Sequence, residues 1–184
     1  MKRTNKTANL TQIALIGALY AVLTLVVAPF SFGSMQLRIA EVFALLPLFG
    51  WTGGWGVTFG CFFANLIGFF IGANPLGLID AFVGTAATLV AAVITCGIGR
   101  LPIGRLAKCL LAPIPVILFN GILIGLELAV LFTTPGESLY ALWIVNGLSV
   151  AAGEAIVLYT LGMLMLYALM RADLYKKLFK NAKF

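Results

Sequence analysis

From about position 10 to position 170 this chain is a succession of six apolar stretches: roughly 10–29, 39–51, 55–72, 78–98, 107–132 and 139–170. Only polar or Gly/Pro breaks separate them, and that pattern constrains the fold more than any single motif. A helix rises ~1.5 Å per residue, so the ~20 residues that most stretches reach match a ~30 Å hydrocarbon core. The second stretch is short, and is expected to start deep, to tilt, or to be completed by flanking turns. Backbone polar groups in lipid must be satisfied internally, which leaves helices or closed barrels. The period-two alternation of a barrel is absent. With 62% hydrophobic and only 10% charged residues in 184, and a mean hydropathy of +1.09, a soluble domain is excluded as well. The chain is therefore expected to be all-α and integral to the membrane: one domain over 1–184, a six-transmembrane-helix bundle.

The basic residues set the expected orientation. Lys2, Arg3 and Lys6 precede the first helix, and Arg100, Arg105 and Lys108 lie between the fourth and fifth. Arg171, Lys176, Lys177, Lys180 and Lys183 follow the sixth. Six helices put all three clusters on one side, so both termini, the 98–108 loop and the basic tail at 171–184 are expected in the cytoplasm. This distribution accounts for the net charge of +6 without nucleic acid, since no aromatics interleave with the bases. The basic start and apolar run read as a retained first helix. The run outlasts a signal-peptide core, and Val27-Ala28-Pro29-Phe30 offers no small-residue cleavage site. Cys61, Cys96 and Cys109 have no pairing or zinc spacing and read as small buried hydrophobes.

Against this background the polar residues stand out. Gln36-Leu37-Arg38-Ile39-Ala40-Glu41 carries the only base outside the termini and the 98–108 loop, with Glu41 one helical turn beyond it. Asn65, Asp80, Asn120, Glu127, Asn146 and Glu154 lie within later apolar stretches. An ionised side chain near the bilayer centre costs about 2.5–3.5 kcal/mol on insertion scales, so several together need a reason. In the expected topology Arg38, Glu41, Asp80, Glu127 and Asn146 fall in the outer half, and Asn65, Asn120 and Glu154 nearer the middle. A cavity open outward and closed below accounts for that. Asn120 and Glu127 are about 700° of rotation apart and share a face, while Trp143, Asn146, Val150 and Glu154 follow one helical stripe. If all ionise, four carboxylates against Arg38 favour a cationic or donor-rich ligand, and Trp143 offers a stacking wall for a flat heterocycle. Each feature also has a plainer structural reading: a solvated Arg38–Glu41 pair, interhelical bonds for the asparagines, an interfacial anchor for Trp143.

Other chemistries are excluded by what is missing. The chain has no histidine, which removes most metal sites and His-based acid–base catalysis. No G-x-x-x-x-G-K-[ST] loop occurs, so ATP hydrolysis by that route is excluded. No metal or cofactor is expected on this chain, no enzymatic nucleophile–base couple is present, and active transport requires a partner or an ion gradient.

Taken in order, Gln36-Leu37-Arg38-Ile39-Ala40-Glu41, Gly60-Cys61-Phe62-Phe63-Ala64-Asn65, Asp80 with Gly84-Thr85, Asn120-Gly121 and Gly153-Glu154 resemble the queuosine-precursor transporter family, QueT. Members of that family are substrate-binding S components of energy-coupling factor (ECF) transporters, and the resemblance runs from about Leu10 to Arg171. It implies six helices and an outward-facing site capped by the loop between the first two. It also implies a 7-deazaguanine ligand such as preQ1 (aminomethyl) or preQ0 (cyano). The chain would sit in a bacterial cell membrane and dock onto a transmembrane coupling protein, the T component, driven by two ATPase subunits. Ala14 and Ala18 match the alanine motif that S components use on their first helix for docking. The substrate-binding residues would be Gln36, Arg38, Glu41, Asn65, Asp80, Asn120, Glu127, Trp143, Asn146 and Glu154. Glu154 with Asn146 or Asn120 would read the base, Glu127 or Asp80 would hold an ammonium, and Arg38 with Glu41 would latch the capping loop. The alternative is an ion-coupled transporter or channel subunit using the same carboxylates. It favours acids in both halves and inverted repeats, whereas here the acids are confined outward and no repeat is evident.

Overall fold

The structure is a computed structural model that describes residues 2–33, 36–171 and 173–179, with residues 2–5 as backbone only. Lys180 and Lys183 of the basic tail lie outside the described residues. Every regular element among the described residues is helical: α1 (Lys2–Val26), α2 (Ala28–Ser31), a 3-10 helix (Ile39–Phe49), α3 (Trp51–Phe70), α4 (Leu78–Arg100), α5 (Arg105–Leu111), α6 (Pro113–Phe132), α7 (Leu139–Val157), a π-helical turn (Leu158–Gly162), α8 (Met163–Arg171) and α9 (Leu174–Leu178). Five helical stretches are long and apolar enough to cross a membrane: Lys6–Val26, Trp51–Phe70, Leu78–Arg100, Arg105–Phe132 and Leu139–Arg171. The protein is a multi-pass membrane helical bundle.

Local chemistry explains the breaks. Proline lacks the N–H that an interior helical position must donate, so Pro29 and Pro113 sit in the first turns of α2 and α6 rather than within their predecessors. Ser138 caps α7, its Oγ accepting from the Ala141 N–H at 3.4 Å. Gly72 and Gly77, at φ +72° and +76°, bound the turn between α3 and α4.

The short second stretch is a 3-10 helix of 11 residues, so added rise per residue lengthens it. At ~2.0 Å rise per residue it is about 22 Å long, against about 16 Å for the same residues as α-helix. Pro47 lies inside it and would clash with the carbonyl four residues back in an α-helix. Nearly every side chain from Ala40 to Phe49 is buried, because other helices surround the segment. Two glycines allow their backbones to reach it. A Cβ on Gly53 would lie 2.5 Å from the Leu46 carbonyl, and one on Gly99 would collide with the Leu48 oxygen.

The 3-10 helix runs between the two ends of the bundle. Phe49 stacks on Tyr175 and Phe179 at 5.3 and 5.5 Å, and with Asn9, Gln12, Trp51 and Arg100 it lines a cavity of about 580 Å³. Lys108 donates to the Gly99 carbonyl at 2.9 Å at this same end. Phe32, Pro75, Leu76, Leu128, Phe132, Leu142 and Asn146 line a second cavity of about 320 Å³ at the opposite end. The core between is small and apolar, with Leu45, Val57, Cys61, Ala64, Ala91, Val116 and Leu158 buried together. On α1, Ile16, Gly17 and Tyr20 face α3, whereas Ala14 and Ala18 are exposed on the outer surface beside Leu15 and Leu19.

Candidate functional site

The polar side chains that interrupt the apolar stretches converge where the 3-10 helix begins. Arg38 immediately precedes that helix, yet it is only 4% exposed. Its guanidinium lies 5.3 Å over the Phe32 ring, with Nη1 3.9 Å from Glu41 Oε1 and Nη2 3.9 Å from Asp80 Oδ2. Both carboxylates are at ion-pair range and beyond hydrogen-bond range. Among the described residues, the one bond the guanidinium makes is to Cys61 Sγ, at 3.9 Å. Glu41 is anchored from the other side by the Tyr20 hydroxyl, which donates to Oε1.

Asp80, fully buried in the first turn of α4, is held by two asparagines. Asn74 Nδ2 donates to its Oδ2 at 2.7 Å, and Asn65 Nδ2 donates to its main-chain carbonyl at 2.9 Å. Asn74 is oriented in turn because its Oδ1 accepts the Leu76 N–H at 3.0 Å, an Asx turn ahead of Pro75. Gly84, one turn along α4, leaves the room: a Cβ there would come within 2.7 Å of Asn65 Nδ2 and 2.9 Å of Asp80 Oδ1.

Helices α6 and α7 close the cluster. Asn120 Nδ2 donates to Glu154 Oε1 at 2.9 Å, and Glu154, 1% exposed, interacts electrostatically with Glu41 and Arg38. Glu127, 6% exposed, interacts in the same way with Asp80 and Arg38. Gln36, two residues before Arg38, is buried too, with φ +43°, a left-handed conformation that a long side chain rarely adopts. By contrast Glu137, in the exposed loop before α7, has two donors on its Oε2. It accepts from the Thr134 hydroxyl and N–H at 2.7 and 2.9 Å, and those bonds hold its carboxyl below the usual range.

Among the described residues ten buried side-chain N or O atoms have no hydrogen-bond partner, and nine belong to this cluster. Six are acceptors: Glu41 Oε2, Asn65 Oδ1, Asp80 Oδ1, both Glu127 oxygens and Glu154 Oε2. Three are donors: Gln36 Nε2, Arg38 Nε and Arg38 Nη2. Orphaned polar atoms cost about 1–3 kcal/mol each, so a cluster of nine is not a device for stability. Its chemistry suits a small guest with more donors than acceptors.

Of the residues singled out in the sequence, Gln36, Arg38, Glu41, Asn65, Asp80, Asn120, Glu127 and Glu154 are brought to this cluster. Asn146 is half-buried and lines the cavity that shares Phe32 with it. Trp143 is not brought there. Its Nε1 donates to the Ile122 carbonyl at 2.9 Å, and it lines a groove on the outer surface with Gly121, Ile144 and Gly147. Tyr20, Phe32, Cys61 and Asn74 join the site without having been singled out. A lone tyrosine in an apolar helix needs a partner for its hydroxyl, and an Asn before Pro favours an Asx turn. Those were the available signals for Tyr20 and Asn74.

Tyr20→Phe is expected to cost about 1–3 kcal/mol of stability, because Glu41 Oε1 then loses its donor in a water-excluded place. A thermal melt of the purified protein reads this as a lowered Tm. An unchanged Tm would mean that the hydroxyl does not anchor Glu41.

Compared with models of known families, the chain matches the one described as QueT transporter over residues 10–171. No curated protein and no solved structure matches it.

Proposed function

Because the chain belongs to the QueT transporter family, we propose that it is the substrate-binding S component of an ECF transporter for a queuosine precursor, preQ1 or preQ0. The observation that carries this is the sealed cluster of six unpartnered acceptors and three unpartnered donors. A guanine-like edge offers N–H donors beside a carbonyl, and an aminomethyl group adds an ammonium that a carboxylate holds by charge-assisted bonds. On this reading the free Glu154 oxygen and the neighbouring Asn120 read the base. Glu127 or Asp80 receives the ammonium, and Asn65, Gln36 and Asn146 complete the polar rim. Before the ligand enters, Arg38, through Glu41 and Asp80, ties the loop before the 3-10 helix over the site.

The proposed orientation puts the Phe49 end in the cytoplasm. It is supported by Arg100 and Lys108 at that end, with Lys176 and Lys177 in the α9 that packs there, while Arg38 is the one base at the other end among the described residues. The 3-10 helix would then be the sixth pass, its ~22 Å sufficing because protein rather than lipid surrounds it. Both termini would be cytoplasmic, and the host membrane that of a bacterial cell. Ala14 and Ala18, exposed on α1, would meet the T component, with ATP hydrolysed by two partner ATPase subunits and no cofactor on this chain.

Titration calorimetry of the purified chain with aminomethyl- and cyano-7-deazaguanine, guanine and thiamine tests the binding role. Tight deazaguanine binding without ATP or partners is expected, with the aminomethyl form preferred. Binding of none of the four would remove the substrate assignment. Uptake that persists in cells depleted of the ATPase partners would replace ECF coupling with an ion-coupled mechanism.

A further inference from the structure

We infer that the Arg38 guanidinium is a built-in occupant of the ligand subsite, and that a planar N–C–N donor edge of the ligand takes its place. The identity of that ligand rests on the function proposed above; the chemistry of the subsite does not.

A structural arginine buried in an apolar bundle makes short, paired hydrogen bonds of ~2.7–2.9 Å to carboxylates. Arg38 makes none. Its two carboxylate contacts, to Glu41 and Asp80, are each 3.9 Å, and Nε and Nη2 have no partner. The enclosure nevertheless suits a flat cation, with the Phe32 ring on one face, acids at the rim, and Cys61 Sγ as a soft acceptor. A planar cation held about 1 Å beyond the length of a charge-assisted hydrogen bond on both sides is cheap to exchange for a guest that fits.

The 2-amino-pyrimidinone edge of a guanine-like base repeats the guanidinium pattern, with two N–H donors flanking one carbon. It reproduces what Arg38 offers to Glu41 and Asp80, which on this inference leaves the other donors of the base to Glu154 and the ammonium to Glu127. Affinity for the ligand is therefore reduced by the fraction of molecules in which Arg38 fills the box.

The test uses the full-length chain, its Arg38→Ala and Arg38→Gln variants, and two probes, methylguanidinium and aminomethyl-7-deazaguanine. Methylguanidinium at ten times its dissociation constant is expected to raise the Tm of Arg38→Ala by about 3 °C or more and to leave the native protein unmoved. It is expected to compete with the deazaguanine, which should bind Arg38→Ala at least about fivefold more tightly than the native chain. Absence of any methylguanidinium effect overturns the inference, as does simultaneous binding of both probes. Deazaguanine affinity that is unchanged or weaker in both variants also overturns it, making Arg38 a ligand contact or a structural part. If neither variant folds and methylguanidinium restores neither, Arg38 is structural and the inference fails. Should the native chain and both variants bind no deazaguanine, the substrate assignment fails while the methylguanidinium measurement still decides the subsite.

Discussion

Glu154→Gln is expected to weaken deazaguanine binding about 100-fold while leaving the bundle folded. Glu154 divides its carboxylate between two tasks: one oxygen accepts from Asn120 at 2.9 Å, and the other is buried without a partner. Glutamine can keep its carbonyl oxygen on Asn120. Its amino group must then occupy the position of the free acceptor and face the donors of the ligand. The loss combines a hydrogen bond to a charged group, about 1.5–3 kcal/mol, with an unfavourable donor–donor contact. Stability should hold or rise, since replacing a buried carboxylate by an amide lowers the desolvation cost. Calorimetry gives the affinity and a thermal melt the stability. A dissociation constant within about threefold of the native value would show that the free oxygen meets no ligand donor.

Gly53→Ala is expected to destabilise the fold strongly. A Cβ there would lie 2.5 Å from both C and O of Leu46 and 2.9 Å from N of Pro47. All three are main-chain atoms of the 3-10 helix, so no side-chain rotation relieves the overlap. Overpacking of this kind costs about 3 kcal/mol, which for a chain of this length lowers Tm by roughly 6–12 °C. Gly97→Ala is the control, because Gly97 lies on the exposed face of α4 and a Cβ there would meet nothing within 4 Å. Helix propensity alone favours alanine over glycine, so Gly97→Ala should hold or raise Tm, and an equal change in both variants would show that contact with the 3-10 helix is not the cause.

These two residues also divide what was legible from what was not. Glu154 could be picked out from the sequence, because a carboxylate in an apolar stretch is costly wherever the helix packs. Its partner Asn120 is 34 positions away, and that pairing depends on how α6 and α7 meet. Tyr20 with Glu41, and Arg38 with Asp80, are likewise pairs from different elements. Trp143 shows the limit of periodicity. Helical spacing groups it with Asn146 and Glu154, but the three-residue step leaves it about 60° off Asn146, and close α6–α7 packing turns it toward Ile122.

The sequence by itself determined the membrane class, the helical class and which carboxylates are costly to bury in the apolar stretches. Those properties follow from transfer cost and span length, which belong to single segments. Only the tertiary structure decided that the second stretch is a 3-10 helix, since that conformation needs glycine surfaces from the helices packed on it, Gly53 of α3 and Gly99 of α4. It also decided which acids share one arginine and which polar atoms remain unpaired. Those are properties of contact between segments, and no segment carries them alone.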